Sequence, residues 1–82
     1  MHLEIITPEK KLFTGEVKLV QVPGSMGSFE ILNNHAPIIS TLDQGKIKII
    51  SPEDQITFFE IGGGIIEVKK NNIIILAETV KI

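Results

Sequence analysis

The clearest fold signal in this sequence is the stretch Ile65-Ile66-Glu67-Val68-Lys69-Lys70-Asn71-Asn72-Ile73-Ile74-Ile75-Leu76. It contains two short runs of mostly β-branched residues, separated by a polar segment with two asparagines, which is typical of two strands joined by a turn. The second run, residues 73–76, is apolar on both of its faces, so we expect it to form a central, buried strand. The charged residues Lys69, Lys70 and Glu78 flank this strand and protect it from aggregation.

The same pattern extends over the rest of the chain. Glycine, proline and asparagine interrupt the apolar segments about every 6 to 12 positions, and in Lys46-Ile47-Lys48-Ile49 the period of two places both lysines on the solvent side. No window has the apolar spacing of a helix, so we predict almost no helix. The predicted strands are residues 3–7, 16–22, 28–32, 38–42, 46–51, 56–61, 65–68 and 73–78.

These strands predict the fold class. Many short strands, each with one apolar face, have to pack as two layers, so we expect an all-β fold. Its form would be a two-sheet antiparallel β-sandwich, or flattened barrel, of about eight to ten short strands. Gly62-Gly63-Gly64 lies inside a strand-like run and indicates a bulge, a bend between sheets or close approach by another backbone; we favour the bend. With 82 residues, the chain predicts one domain over residues 1–82.

Composition excludes several classes of function. The hydrophobic share of 43% and the charged share of 22% are those of a globular protein and not of a disordered one. The net charge is −2 and the eight basic residues are scattered lysines, so no basic stripe is present for nucleic acid. The absence of cysteine excludes disulfides and thiolate metal sites. No segment reaches the length of about 18 apolar residues that a membrane helix needs, which predicts a soluble protein without direct bilayer insertion.

The residues capable of catalysis have simpler explanations. Ser28, His35 and Asp43 are the residue types of a hydrolase triad, but Ser28 lacks the strand-turn-helix setting that exposes a nucleophile. Glu53-Asp54 has the composition of a hairpin turn with two solvated acids. Gly24-Ser25-Met26-Gly27 lacks the following helix and the terminal GK[ST] of a phosphate loop. We therefore predict no catalytic residue, no cofactor and no metal site.

Several motifs together carry a family resemblance. They are Leu12-Phe13-Thr14-Gly15, the long segment Gly24-Ser25-Met26-Gly27-Ser28-Phe29-Glu30-Ile31-Leu32-Asn33-Asn34-His35-Ala36-Pro37, then Gly45-Lys46-Ile47-Lys48-Ile49 and Gly63-Gly64-Ile65-Ile66-Glu67-Val68. In this order and spacing, residues 3–80 resemble the β-sandwich domain of the epsilon subunit of bacterial F-type ATP synthases. The first motif matches the family's second turn.

The resemblance implies a non-catalytic central-stalk (rotor) subunit of a proton-translocating F-type ATP synthase. Such a subunit packs against the gamma subunit and rests on the polar loops of the membrane c-ring, and it supports coupling of ion flow to ATP synthesis. It would be peripheral, at the cytoplasmic face of the bacterial inner (plasma) membrane. The implied partner-binding residues are Gly24, Met26, Gly27, Ser28, Glu30 and His35 on the ring side, and Thr7, His35 and Ser40 near gamma.

Two departures from the family limit what the resemblance implies. Many relatives have an acid where this chain has Ser28, which puts a charged contact with the ring in doubt. Most bacterial relatives also continue into a two-helix C-terminal domain that inhibits ATP hydrolysis, whereas this sequence ends at Ile82. An inhibitory arm and a nucleotide-binding motif are therefore not expected, and the sequence fits either a naturally short subunit or an isolated domain.

The alternative function is a small β-barrel ligand binder of the oligonucleotide- or carbohydrate-binding type, which the size and strand count also allow. Phe58 and Phe59 would then supply the stacking surface for a base or a sugar.

Overall fold

The structure, a computed structural model, describes residues 1–81. These residues form eight strands and no helix, which confirms the predicted all-β fold class. None of them therefore belongs to a helix long and apolar enough to cross a membrane. The strands are β1 (His2–Ile6), β2 (Lys11–Glu16), β3 (Leu19–Val22), β4 (Phe29–Leu32), β5 (Ile38–Ile50), β6 (Ile56–Lys69), β7 (Asn72–Ala77) and β8 (Val80–Lys81).

The strands are hydrogen-bonded in the order β2-β1-β7-β6-β5-β3-β4, and β8 pairs with β6. The long strands β5 and β6 run through two layers. In the first layer, residues 38–42 of β5 and 64–69 of β6 lie beside β7, β1 and β2. In the second layer, residues 45–50 of β5 and 56–61 of β6 lie between β3, which pairs with β4, and β8.

The two layers pack face to face over one apolar core. The molecule measures 20 Å along its shortest axis. Two packed sheets lie about 10 Å apart, so this thickness leaves room for two layers. The ring of Phe13 in the first layer meets that of Phe59 in the second edge-to-face, with centroids 6.1 Å apart. The buried core residues are Leu3, Ile5, Val17, Val20, Val22, Ile31, Leu42, Ile47, Ile49, Ile61, Ile66, Val68, Ile73, Ile75 and Ala77.

The glycine segment of β6 lies where the hairpin passes from one layer to the other. The pairing of β5 with β6 keeps its register here, with Leu42 opposite Gly64 and Gln44 opposite Gly62. Gly63, between the two pairs, has φ 109°, a left-handed conformation that favours glycine. A Cβ atom on Gly64 would overlap the carbonyl oxygen of Leu76 on β7. The expected bend is therefore present, together with the close backbone approach that was one of its alternatives.

Two predicted strand breaks do not occur. The predicted strands 38–42 and 46–51 are the single strand β5, and 56–61 and 65–68 are the single strand β6. Glycine and polar residues suggested ends at these positions. The pairing of β5 with β6 continues beyond them, from Ile38↔Val68 to Ile50↔Ile56, because both strands bend together.

The predicted strand 16–22 is correct for β3, residues 19–22, but it begins too early, because residue 16 ends β2 and residues 17–18 cross between the layers. The amide of Val17 donates to the carbonyl of Met1 at 2.9 Å, and the amide of Lys18 donates to the carbonyl of Ile50 at 2.9 Å. The segment before it, Leu12-Phe13-Thr14-Gly15, is not a turn but part of the edge strand β2. Its alternation is weak because an edge strand buries little of either face.

The strand β7 is central, as predicted, but it differs from the prediction in two details. It runs parallel to β1, with Leu3 opposite Ile73, so the sandwich is not wholly antiparallel. It is also buried on one face only: Ile73 and Ile75 are buried, whereas Ile74 is half-buried and Leu76 is 50% exposed. Each layer of a two-layer fold has one covered face, and no described segment covers the outer face of β7.

Replacing Ile75 by alanine should therefore lower the free energy of unfolding by about 2 to 5 kcal/mol, because the side chain is 0% exposed and its loss leaves a cavity. The matched change Leu76→Ala, one residue further on the outer face, should cost less than about 1 kcal/mol. Urea denaturation of both variants measures the difference. Equal losses would show that the face assignment of β7 is wrong.

Candidate partner-binding surfaces

The outer face of the first layer carries several apolar side chains around the charged Glu67. Ile39 is 72% exposed, and Ile65 and Leu76 are also exposed on neighbouring strands. The register places Leu76 beside Ile65, and it places Ile74, Glu67 and Ile39 in the adjacent row. Exposed apolar side chains that are grouped on one face mark interaction sites in soluble proteins. We call the set Ile6, Ile39, Ile65, Ile74 and Leu76 the first outer patch.

A groove of about 620 Å³ opens at the margin of this patch. Apolar side chains of Ile6, Ile65 and Leu76 line it, together with Thr7 just after β1. Glu78 lies at the same groove and is exposed. A partner with an apolar side chain for the groove and a basic side chain for Glu78 would fit this lining.

The outer face of the second layer carries a second apolar set, which we call the second outer patch: Leu19, Leu32, Ile50, Ile56 and Phe58. Lys46 extends over the ring of Phe58, with its Nζ 6.0 Å from the ring centroid. Charged residues alternate with the apolar ones here, so the patch is partly covered by its own lysine stems.

The turn before β4 is bound tightly to the middle of β5. The Ser25 amide donates to the carbonyl of Thr41 at 3.1 Å, and the Ser25 hydroxyl donates to Asp43 Oδ1 at 3.1 Å. The Thr41 hydroxyl donates to Ser25 Oγ at 2.8 Å, and the Asp43 amide donates to the carbonyl of Pro23 at 2.8 Å. These bonds fix the turn on the sandwich, where it carries Met26.

All of the predicted ring-side residues except His35 lie between the start of this turn and β4. Gly24 and Gly27 close the turn through a hydrogen bond from the Gly27 amide to the Gly24 carbonyl at 2.9 Å. Ser28 is exposed, and its Oγ accepts a hydrogen bond from Gln21 Nε2 at 3.2 Å. Glu30 is exposed on β4, opposite Gln21 of β3.

His35 lies in the loop after β4, at the other end of that strand. Its ring Nδ1 donates to the carbonyl of Ala36 at 2.7 Å. The loop is held by Asn71 in the β6–β7 turn, whose Oδ1 accepts the amide of Asn34 at 2.8 Å and whose Nδ2 donates to Asn33 Oδ1 at 2.8 Å. These amide contacts fasten the His35 loop to the first layer.

The two remaining predicted residues face different ways. Thr7 lines the groove, and its Oγ1 donates to the carbonyl of Lys10 at 3.1 Å. Ser40 is half-buried opposite Ile66 on the core side of β5. The structure therefore distributes the predicted residues over four places: the groove with Thr7, the turn with β4, the His35 loop, and the core side of β5 with Ser40.

The residues considered for catalysis are not brought together. Asp43 is bonded to Ser25, Ser28 to Gln21 and His35 to its own loop, so no Ser–His–acid contact is formed. Asp54 pairs with Lys18. Among residues 1–81 no group of three or more potential ligands could hold a metal ion.

The pKa of the Glu4 carboxyl is lowered by a neighbouring lysine. The Lys11 side chain hydrogen-bonds to Glu4 across β1 and β2 and lowers the pKa of that carboxyl, and its positive charge adds to the effect. The pair joins an edge strand to its neighbour on the surface, which explains the shift without a reactive site.

The stacking platform of the alternative ligand binder is not formed either. Phe58 and Phe59 are adjacent in a strand and so point to opposite faces. Phe59 packs against Phe13 in the core, and Phe58 alone is on the surface.

The exposed residues of the first outer patch were missed in the sequence because runs such as Ile73-Ile74-Ile75-Leu76 were interpreted as buried on both faces. The same runs contain the signal that could have found them. A two-layer sandwich covers one face of each strand. A strand that is apolar at successive positions therefore also has an apolar outer face.

Comparison with known proteins decides the family. The family model described as ATP synthase, Delta/Epsilon chain, beta-sandwich domain matches residues 1–82. The chain belongs to this family. A protein of Caulobacter vibrioides named ATP synthase epsilon chain is 42% identical over 80 residues, which are 95% of this chain and 90% of that relative.

A Nitrosococcus oceani protein with the same name, ATP synthase epsilon chain, is 35% identical over 79 residues. The match covers 96% of this chain but spans 56% of that relative, a little over half of its length.

Solved structures share the fold of this family member. A chain of the Euglena gracilis mitochondrial ATP synthase, in a cryo-EM structure of OSCP, F1 and c-ring, superposes with a TM-score of 0.90 at 16% identity over 96% of this chain and 51% of that one. A chain of the Tetrahymena thermophila central stalk and c-ring gives 0.84 at 20% identity over 99% of this chain and 65% of that one. At these identities the likeness shows the fold alone.

Removing the side chain of Asn71 should loosen the His35 loop. In Asn71→Gly the backbone keeps its φ of 63° without strain but loses both amide contacts, so exchange of the Asn34 amide should accelerate about tenfold or more. Hydrogen exchange followed by NMR measures this. The neighbouring change Asn72→Ala removes only a contact to the carbonyl of Lys70 and should leave the Asn34 amide unaffected. Unchanged exchange in Asn71→Gly would contradict the assignment.

Proposed function

We propose that residues 1–82 act as one non-catalytic domain in the central stalk, or rotor, of a proton-translocating F-type ATP synthase. In this role the domain links the gamma subunit to the membrane c-ring and supports coupling of ion flow to ATP synthesis. The family match and the relatives named ATP synthase epsilon chain support the proposal. The structural observation that carries it is the uncovered apolar face of the first layer.

The first outer patch is the surface that we assign to gamma. It extends across β1, β7, β6 and β5, four adjacent strands that span roughly 15 Å. Thr7, which the family resemblance assigns to gamma, lines the groove at the margin of the same patch. A stable contact needs at least about 1,000 Å² of total buried surface with apolar anchors near its centre, and Ile39 and Leu76 are suited to that role.

The turn that carries Gly24, Met26 and Gly27 is the surface that we assign to the c-ring, together with Ser28 and Glu30. It lies beside β5 and is held by hydrogen bonds to Thr41 and Asp43, so it can bear load without rearranging. A subunit that transmits torque needs such stiffness, because a loop that yields would lose the contact.

The complex would hold the domain peripherally at the cytoplasmic face of the bacterial plasma membrane. The first outer patch and the turn before β4 would hold the domain there by binding other subunits, without insertion into lipid. Inhibition of ATP hydrolysis and binding of nucleotide are not assigned to residues 1–82.

Size exclusion with purified gamma tests the proposal. The wild-type domain should elute with gamma as a single species, and Ile39→Ser and Leu76→Ser should each weaken the complex about tenfold or more by removing an apolar anchor. Phe58→Ser is the matched control, since Phe58 is also an exposed apolar residue but lies on the outer face of the second layer. Separate elution of the wild-type proteins at micromolar concentration would contradict the gamma assignment. Equal weakening by Phe58→Ser would show that gamma does not bind specifically to the first outer patch.

A further inference from the structure

The outer face of the second layer contains one row of residues that is entirely apolar. Leu19 of β3 lies between Leu32 of β4 and Ile50 of β5, and Ile50 in turn pairs with Ile56 of β6. The two ends of the row, Leu32 and Ile56, are 51% and 55% exposed. The row crosses four adjacent strands, and the surfaces assigned to gamma and the c-ring do not use it. We call Leu32, Leu19, Ile50 and Ile56 the apolar row.

The next row on the same face separates its charges. It begins with Glu30 on β4, and it continues through Gln21 and Lys48 to Phe58 on β6. Lys46, two residues before Lys48 on β5, extends over the Phe58 ring, with its Nζ 6.0 Å from the ring centroid. The negative charge of this row therefore lies on β4, and the positive charges lie over β5 and β6.

A two-fold axis that runs along the strands, between β3 and β5, makes this face complementary to itself. Rotation about such an axis keeps each row at its own height, and it exchanges β4 with β6 and β3 with β5. Leu32 then meets Ile56 of a second copy, so the two apolar rows pack on each other. In the next row, Glu30 meets Phe58 of the second copy, where Lys46 of that copy holds its ammonium group.

The charges that this arrangement brings together are not paired within one domain. Among residues 1–81, neither Glu30 nor Lys46 forms an ion pair. Glu60 lies opposite Lys46 in the register, but Lys46 Nζ lies over the Phe58 ring and not in a salt bridge to Glu60. A contact between Glu30 and Lys46 would form twice in a two-fold dimer, because symmetry repeats each contact. Complementary charges of this kind fix the register of an interface and select the partner.

The size of the face suits a weak dimer. Four strands about 4.8 Å apart, each with three outward residues about 6.8 Å apart, cover roughly 400 Å² on each copy. Two copies would therefore bury about 800 Å² in total, less than the roughly 1,200 to 2,000 Å² of stable specific complexes. The pairing should be reversible, and the domain should be monomeric at micromolar concentration.

We propose that the outer face of the second layer is a self-complementary surface on which two copies of this domain pair about a two-fold axis. The apolar row forms the centre of the contact, and the two Glu30–Lys46 pairs set its register. The dimer leaves the first outer patch free, so it goes beyond the proposed function and does not depend on the gamma contact. Glu30 also belongs to the surface that we assign to the c-ring, so pairing is a property of the domain before assembly.

Sedimentation equilibrium of the purified chain tests this pairing at concentrations from about 10 µM to 2 mM. We expect a reversible monomer–dimer equilibrium with a Kd of about 0.1 to 1 mM, as for weak contacts of this size. Leu32→Glu should weaken the dimer about tenfold or more, because it places a charge against Ile56 of the other copy. Ile39→Ser, on the outer face of the first layer, is the matched control and should leave the Kd unchanged.

Reversing the two charges tests the two-fold arrangement itself. Glu30→Lys and Lys46→Glu should each dimerise less than the wild type, because each variant brings like charges together twice. In an equimolar mixture of the two variants, both contacts between unlike copies are attractive again. The mixed dimer should therefore be about fivefold or more tighter than either variant alone at low ionic strength. A change that only perturbed the single domain would not be repaired by mixing.

Three results would overturn the pairing. The first is a wild-type chain that stays monomeric up to about 2 mM. The second is a dimer that Ile39→Ser weakens and Leu32→Glu does not, because the contact would then lie on the first layer. The third is a mixture of Glu30→Lys with Lys46→Glu that pairs no more tightly than either variant alone, which would exclude the two-fold arrangement.

Discussion

The pairing of β5 with β6 is the constraint on which the rest of the structure depends. It runs from Ile38↔Val68 to Ile50↔Ile56, and each half of it is the middle of one layer. Every other strand is attached to this hairpin directly or through one or two neighbours. The glycines at 62–64 let the hairpin bend without losing its pairing, so the two layers are the two halves of one continuous hydrogen-bonded sheet. Their inner faces supply all of the described core except Val17, which leaves both outer faces to be covered by solvent or by partners.

The uncovered faces are the surfaces on which the described residues could bind other proteins. The first layer presents apolar residues on four strands next to a groove, and the turn before β4 presents one apolar side chain on a stiff support. The two surfaces are joined through β5, because Thr41 both borders the groove and bonds to the turn. A load applied at the turn therefore reaches the first layer through hydrogen-bonded backbone and not through a flexible linker. This arrangement suits a part that connects two moving subunits.

The sequence predicted the fold class, the central position of β7 and the bend at the glycines, because these depend on local pattern and on the need to cover apolar strand faces. It did not predict that residues 38–50 and 56–69 are single strands, because the breaks suggested by Gly45 and Gly62 are overridden by pairing between distant residues. The edge strand β2 was missed because an edge strand has little burial pattern. The first outer patch was missed because apolar residues on both faces of a strand were assigned to the core. The family resemblance gave Thr7, the turn and His35 as partner-binding residues. That they lie at separate surfaces could be seen only in the tertiary structure.

In the proposed function, the outer face of the first layer and the turn before β4 are covered in the assembled stalk, while the outer face of the second layer stays in solvent. Hydroxyl-radical footprinting of the domain, free and assembled with gamma and the c-ring, tests it directly because it reads side-chain exposure residue by residue. Ile39, Leu76 and Met26 should lose reactivity on assembly, and Ile56 and Phe58 should keep theirs. Protection of Ile56 and Phe58, with Ile39, Leu76 and Met26 as reactive as in the free domain, would contradict it.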